Sequence, residues 1–305
     1  MWNGLTQDLR YALRTLLKSP LFLLVAVLSI GIGIGANAAI FSLMDQVLFR
    51  PLPVKDPDRL FLVDLAPGRI GATFTENATS HVAYRKLRAS QTVFRDLMAT
   101  YQDRANITYR GRSETATVLA VSGNYFSGLG LEASRGRLLG DADDQQRLGH
   151  PVVVLSHGYF QRRFGADEAI IGQTIRLNGR PYEVIGVAPA GFQGLEFERV
   201  ASVYVPMAQK TAITTTWDGM DDPNYYFLHV FGALKPGLRV EQAKAHLDTL
   251  APALIEEELK GFPAMPARGQ QRFRQKRFSL IPVNTPLLGE RQSLEKAFAL
   301  LMGVV

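Results

Sequence analysis

Residues 174–187 read TIRLNGRPYEVIGV, and this stretch decides the fold class. Two runs of strand-forming residues flank Asn178-Gly179, and Asn-Gly is the strongest short signal for a β-hairpin, because both residues accept a left-handed backbone. The stretch therefore predicts two antiparallel strands, at 174–177 and 180–187.

Helical and strand patterns surround this hairpin on both sides. Ser156 is placed to cap a helix that runs to Phe164, and Gly165 is placed to end it. Further strands are predicted at 115–121, 152–155, 201–206, 225–234 and 278–283, and further helices at 79–98, 124–129 and 240–259. Mixed helices and strands of this kind predict an α+β fold.

The N-terminal region is the most apolar part of the chain. Residues 19–44 read SPLFLLVAVLSIGIGIGANAAIFSLM and contain no charge. Roughly 26 residues form a helix about 39 Å long, against a hydrocarbon core of about 30 Å. The pattern predicts a transmembrane helix over residues 19–47. A cleaved signal peptide and a buried core helix are the alternatives, and the length favours the span.

Both flanks of the soluble part carry further membrane signals. Leucines at helical spacing predict an amphipathic interfacial helix over residues 1–18. Residues 293–305 are apolar towards their end and predict the start of a truncated second transmembrane helix, with a docked C-terminal helix as the alternative. Basic residues lie on both sides of the first predicted span, so their count does not determine its orientation.

Small residues recur along one side of the predicted span. Gly31, Gly35 and Ala39 are spaced so that another helix can approach closely, which predicts helix packing at these three positions. The alternative is that glycine is simply common in membrane helices.

The sequence offers no catalytic, cofactor-binding or metal-binding residues. The chain has 305 residues, of which 47% are hydrophobic and none is cysteine, so thiol chemistry is excluded. It contains no Walker A loop, and its five histidines lack metal-ligand spacing. Ser156 beside His157 favours a helix cap over a nucleophile. We therefore expect no enzyme activity and no cofactor.

A basic run lies near the C-terminus, with Phe273 inside it. Its charges stand at Arg268, Arg272, Arg274, Lys276 and Arg277. Contact with lipid headgroups or a partner near the membrane is one interpretation, and a solvated face is the other. Nucleic acid is not expected, because no recognised binding module accompanies the charges.

Several segments together carry a family resemblance. They are DLRYALR at 8–14, KSP at 18–20, GIGANAAIFS at 33–42, LFRPLP at 48–53, VSGNYF at 121–126, LSHGYF at 155–160, and LKPG at 234–237. In this order and spacing the chain resembles the MacB-like permeases of the FtsX-like ABC transporter superfamily. The branch it resembles most is that of the large duplicated permeases common in acidobacteria.

The resemblance implies a periplasmic core domain over residues 48–292, with an inserted subdomain at about 115–220. It also implies an inner-membrane permease that works as a homodimer or pseudo-dimer with an ABC ATPase, in contact with lipid and with a possible periplasmic adaptor. ATP-driven movement of the periplasmic domain would then export or extract a substrate. An FtsX-like signalling subunit that activates an external hydrolase is the alternative. A membrane-anchored enzyme is less favoured, because the sequence shows no catalytic group.

Overall fold

The structure is a computed structural model that describes residue 18 and residues 20–44, 52–66, 78–195 and 200–283. The chain divides into two compact units, of which one comprises residues 1–50 and 289–305 and the other residues 51–288. Apart from Lys18, the predicted interfacial helix lies outside the described residues, as does the predicted segment at 293–305.

The first unit contains helix α1, Pro20–Met44. Most of its described large apolar side chains are exposed, among them Leu21 at 76% and Ile32 at 70%. None of the helices in the described part of the chain combines the length and hydropathy required to cross a membrane. The structure therefore does not support the transmembrane helix predicted over 19–47. That prediction rested on the length of the uncharged run at residues 19–44.

A mixed sheet of eleven strands organises the second unit. Its strands are β1 Leu60–Ala66, β2 Thr79–Ser80, β3 Phe94–Tyr109, β4 Arg112–Val121, β5 Arg135–Gly136, β6 Val152–Leu155, β7 Thr174–Leu177, β8 Arg180–Val187, β9 Val203–Pro206, β10 Tyr226–Leu234 and β11 Arg277–Pro282. The order across the sheet is β11-β1-β10-β3-β4-β9-β6-β8-β5, with β2 paired to β10 and β7 paired to β3 and β8. The pairs β4–β9 and β6–β8 are parallel, and the other described pairs are antiparallel.

Helices accompany this sheet and confirm the predicted mixture. They are α2 His81–Ser90, α3 Tyr125–Gly128, α4 His157–Phe164, α5 Lys210–Ile213, α6 Val240–Lys260 and α7 Ala267–Phe273. Short 3-10 helices occupy Pro57–Arg59, Asp141–Asp144, Glu168–Ile170 and Met207–Gln209. The predicted inserted subdomain stays a prediction.

The local signals at the hairpin and at α4 are confirmed. Asn178 and Gly179 have φ angles of 49° and 81°, both left-handed, as a two-residue hairpin with a primed turn requires. The Ser156 hydroxyl accepts a hydrogen bond of 3.3 Å from the backbone N–H of Tyr159. Gly165 ends the helix with a φ of 61°.

The helix predicted over 79–98 is wrong in its second half. Helix α2 ends at Ser90, and Phe94 begins the 16-residue strand β3. The Gln91 side chain accepts a hydrogen bond of 2.8 Å from the backbone N–H of Phe94, which stabilises the break. The four-residue spacing of the apolar residues Val93 and Leu97 also suits a helix. Pairing of β3 with β10 outweighs that local spacing.

Apolar side chains cover the sheet on both faces. Along β4, Val118 and Ala120 belong to one buried cluster, whereas Leu119 and Val121 belong to the other. This alternation follows from the two-residue period of a strand. The first cluster also contains apolar residues of α2, α4 and α6, and the second contains those of α3.

Candidate functional site

Strand β3 changes partner halfway along its length. Its pairing with β10 extends to Thr100, and its pairing with β7 begins at Ile107. Side chains from α5 and from residues 214–225, which connect α5 to β10, contact β3 between these two pairings. We call this place the joint, formed by Tyr101, Asp103, Lys210, Thr214 and Trp217.

Lys210 lies at the centre of the joint with 0% of its surface exposed. Its Nζ is 3.2 Å from the centroid of the Trp217 ring, and the rings of Phe227 and Tyr101 lie at 5.0 and 5.4 Å. The same Nζ donates to the carbonyl oxygens of Trp217, at 3.0 Å, and Asp218. Aromatic faces and carbonyl oxygens both attract a cation, so the joint is an aromatic cage around an amine.

Burial lowers the pKa of Lys210 to about 7, because the charged form loses its hydration. The carboxylate of Asp103 opposes this shift, and the guanidinium of Arg147 adds to it. Lys210 therefore changes charge near neutral pH, whereas a solvated lysine stays charged.

A carboxylate and two hydroxyl groups tie the cage to β3. Asp103 accepts hydrogen bonds from the hydroxyl groups of Thr214 and Tyr101, the latter at 3.3 Å. The hydroxyl groups of Tyr101 and Thr214 also lie 2.9 Å apart. Burial raises the pKa of Tyr101 to about 12, so its hydroxyl remains protonated. The first residue of the 214–225 segment is thus fastened to the middle of β3.

Ion pairs hold the outer side of the same segment. Arg147 pairs with Asp218 and, at 3.0 Å, with Asp221. His81 of α2 lies 3.0 Å through Nδ1 from the carbonyl oxygen of Met220. The pairs of Arg147 are solvent-exposed, so each contributes little stability compared with the buried lysine.

A second group of buried charges lies beneath the end of α6. Glu258 and Lys276 are 2% and 4% exposed, and their charged atoms are 3.6 Å apart. Tyr226 donates a hydrogen bond of 3.0 Å to the same Glu258 oxygen. Burial raises the pKa of Glu258 and of nearby Asp64, and it lowers the pKa of Lys276. The Glu258 carboxylate thus pairs with the Lys276 ammonium in a poorly hydrated site, with the Asp64 carboxylate nearby.

The structure divides the basic run of the sequence between core and surface. Phe273 is 0% exposed, and the Nζ of Lys276 lies 3.6 Å from the centroid of its ring. Arg274, by contrast, pairs at 2.7 Å with exposed Glu256. Two of the run's residues are therefore parts of the core, which neither interpretation of the run anticipated.

Asp143 and Asp144 of the 3-10 helix Asp141–Asp144 also make structural contacts. Asp143 forms a bidentate pair with Arg137, at 2.7 and 2.9 Å. Asp144 accepts hydrogen bonds from the backbone N–H groups of Gly123 and Ala208. Over the described ranges, no three His, Asp or Glu side chains come together as metal ligands would.

The three predicted helix-packing residues all lie on α1. Gly31 and Gly35 are exposed, and a Cβ added at either would have no neighbouring heavy atom within 4 Å among the described residues. The side chain of Ala39 lies outside the described part. Helix packing at these positions stays a prediction.

Comparison with known proteins defines the class of this domain. The profile of the MacB-like periplasmic core domain family matches residues 23–250, and the chain belongs to this family. Membership relates the chain to the permeases of ABC transporters and to membrane-associated proteins with a periplasmic or extracellular domain. No curated protein matches the chain.

Two solved structures are similar in fold. The periplasmic region of MacB from Actinobacillus actinomycetemcomitans is 17% identical, with a TM-score of 0.52, over 82% of this chain and 98% of that one. The extracellular domain of the noncanonic ABC-type transporter YknZ from Gram-positive bacteria is also 17% identical, with a TM-score of 0.50, over 73% and 99% of the respective chains. At identities this low, the similarity shows a shared fold alone.

Proposed function

We propose that the chain is a permease subunit of an ABC-type transporter in the bacterial inner membrane. In this proposal its sheet domain lies in the periplasm and takes up ATP-driven conformational change to export or extract a substrate. The family match over residues 23–250 is the observation that carries the proposal. In this proposal an ABC ATPase on a separate chain or domain hydrolyses ATP, and the residues of this sequence, which contain no Walker A loop, serve as a non-enzymatic permease part.

The joint suits a domain that transmits movement. It lies between the part of β3 that pairs with β10 and the part that pairs with β7. The joint therefore ties residues 214–225 to a strand that pairs with both of these strands. The buried amine and the carboxylate of the joint have few alternative partners. Discrete contacts of this kind favour two distinct conformations of the domain over its continuous deformation.

The expected partners follow from the family. We propose an ABC ATPase, a second permease copy or half, membrane lipid and a periplasmic adaptor as partners, and no nucleic acid. The exposed apolar side chains of α1 provide a surface for lipid contact, because large apolar patches mark interaction sites. Gly31, Gly35 and Ala39 would pack against a helix of the permease assembly.

The proposal predicts that an ABC ATPase co-purifies with the tagged chain from detergent-solubilised membranes. We expect a gene beside that of the permease to encode this ABC ATPase, and ATP turnover by the ATPase should change when the chain is bound. An ATPase variant without its Walker A lysine should bind and fail to turn over ATP.

Failure to retain any ATPase would contradict the transporter assignment. The FtsX-like signalling alternative predicts a different companion, namely an external hydrolase that co-purifies and becomes active only when ATP is hydrolysed. Assaying the purified complex for hydrolase activity with and without ATP separates the two functions.

Periplasmic placement predicts that a cysteine at exposed position 145 reacts with a membrane-impermeant maleimide in intact cells. The chain has no cysteine of its own, so Gln145→Cys supplies a single reactive thiol. Ala120→Cys, at a fully buried position, is the matched control and should react only after denaturation. Protection of position 145 until the cells are lysed would place the domain in the cytoplasm and overturn the proposed topology.

A further inference from the structure

We propose that Lys210 and its aromatic cage form a conformational latch that fastens residues 214–225 to strand β3 and opens by releasing Lys210 into solvent. The latch is a property of the folded domain and does not depend on the transporter assignment.

The first argument is the placement of the contacts. Lys210 Nζ bonds the carbonyl oxygens of Trp217 and Asp218, seven and eight residues further along the chain. Thr214 bonds Asp103 of β3 at the start of the segment. The joint therefore holds the segment through three groups, the amine of Lys210, the carboxylate of Asp103 and the hydroxyl of Tyr101.

The second argument is the stacking of rings over the amine. Trp217 stacks on Tyr225 with centroids 5.0 Å apart and meets the edge of Phe227 at 5.3 Å. Tyr101 and Phe227 are also in edge contact, at 5.3 Å. If Lys210 leaves, the ring of Trp217 loses its contact with the amine and the segment loses two hydrogen bonds together. The contacts are thus made and broken as a set, which is the behaviour of a latch.

The third argument is electrostatic. In the closed latch Lys210 has a pKa of about 7, and in water its value is 10.5. Opening therefore takes up a proton between about pH 7 and 10.5, so it becomes easier as the pH falls through that window. Below about pH 7 the amine is charged in both states and this dependence ends. A latch of this design is weakest at and below neutral pH.

Groups facing the amine do not reverse this sign. Asp103 on β3 and Arg147 on the opposite loop act in opposite directions on the Lys210 pKa. Arg147 is itself paired with Asp218 and Asp221. Two other neighbours titrate outside the window: burial lowers the pKa of His81 below its ordinary 6.5 and raises that of Tyr101 to about 12.

Cysteine labelling measures the opening directly. Met220 is 7% exposed and lies within the segment, so Met220→Cys reacts only when the segment opens. Exposed Thr216→Cys gives the intrinsic reactivity at each pH, and the ratio of the two rates is the open fraction. We expect this ratio to fall by up to about tenfold per pH unit between pH 7 and 10. With Lys210→Met the ratio should not change with pH.

Two results would overturn the latch. One is the same pH dependence with Lys210→Met as with Lys210, because another group would then be titrating. The other is equal labelling of Met220→Cys and of Ala120→Cys in the sheet, because exposure would then require unfolding of the whole domain. Circular dichroism establishes that each variant is folded. Loss of ATPase binding leaves both readouts intact, so failure of the proposed function is distinguishable from failure of the latch.

Discussion

Replacing Lys276 by methionine is expected to lower the free energy of unfolding by about 3–5 kcal/mol, because it removes one partner of a buried ion pair. Glu258 would remain 2% exposed without the ammonium that now lies 3.6 Å from it. Methionine fills a similar volume against Phe273, so the loss reflects charge and not a cavity. Urea unfolding of the purified chain, followed by circular dichroism, measures the change.

The pH dependence of this variant has a definite sign. Burial already raises the pKa of Glu258 above its ordinary 4.5, so the fold binds more protons than the unfolded chain and loses stability as the pH rises above that value. Without Lys276 the raised pKa rises further. The difference in stability between the variant and the parent should therefore shrink as the pH falls towards 4.5, where the buried carboxyl group can remain neutral.

Two controls isolate the pair. In the double variant Glu258→Gln with Lys276→Met both charges of the pair are absent, and it should be more stable than Lys276→Met alone because the carboxylate closest to the lost ammonium is gone as well. Arg274→Ala breaks the exposed pair with Glu256 and should leave the stability almost unchanged, because solvent screens exposed charges. The assigned role of Lys276 would be contradicted if Lys276→Met changed the stability as little as Arg274→Ala. It would also be contradicted if the double variant were as unstable as Lys276→Met alone.

Local chemistry explains which elements the sequence predicts well. The Asn178-Gly179 hairpin and the cap at Ser156 each need only a few neighbouring residues, and the structure has both. Strand β1 was missed, and the start of β3 was predicted as helix. Both strands are stabilised by pairing with strands that are distant in the sequence. Strand β1 pairs with β10 and with β11, whereas β3 pairs with β10. Pairing across more than a hundred residues leaves no periodic signal near the strand itself.

The joint is beyond prediction from the sequence for the same reason. Tyr101, Lys210 and Phe227 come from three parts of the chain, and none stands in a motif that indicates a cage. Lys210 offers one weak signal, as a single charge that follows the apolar run from Val203 to Ala208. Lys276 was predicted as part of a solvated or lipid-facing run, because neighbouring arginines made it look exposed. Burial of one cation within a basic run depends on tertiary packing.

The family and the fold of the chain are indicated by different features of the sequence. The family assignment depended on the order of several short segments, and the profile match over residues 23–250 confirms it. None of those segments contains Lys210, Asp103 or Lys276. Sequence likeness therefore identifies the class of the domain, whereas the titratable groups that could regulate it emerge only from the packed structure.

Replacing Gly186 by alanine is expected to lower the free energy of unfolding by about 3 kcal/mol, because the added methyl group has no space. Its Cβ would lie 2.2 Å from the carbonyl oxygen of Arg137 and 2.7 Å from that of Arg135. These are backbone atoms of β5 and its next residue, so they cannot move as a flexible side chain does. Strand β8 would have to separate from β5, whose pairing places Gly186 opposite Gly136.

Gly140→Ala is the matched control for this steric argument. A Cβ at Gly140 meets no described heavy atom within 4 Å, and its φ of −132° suits any residue. We expect that substitution to change stability by less than about 1 kcal/mol. Urea unfolding compares the two variants, and amide hydrogen exchange at Arg137, whose N–H bonds the Ile185 carbonyl at 2.9 Å, locates the damage. Equal stability of the two variants would mean that β5 can move away from β8 and make room for the methyl group. The edge of the sheet would then be flexible at this point, and the close packing at Gly186 would not fix the position of β5.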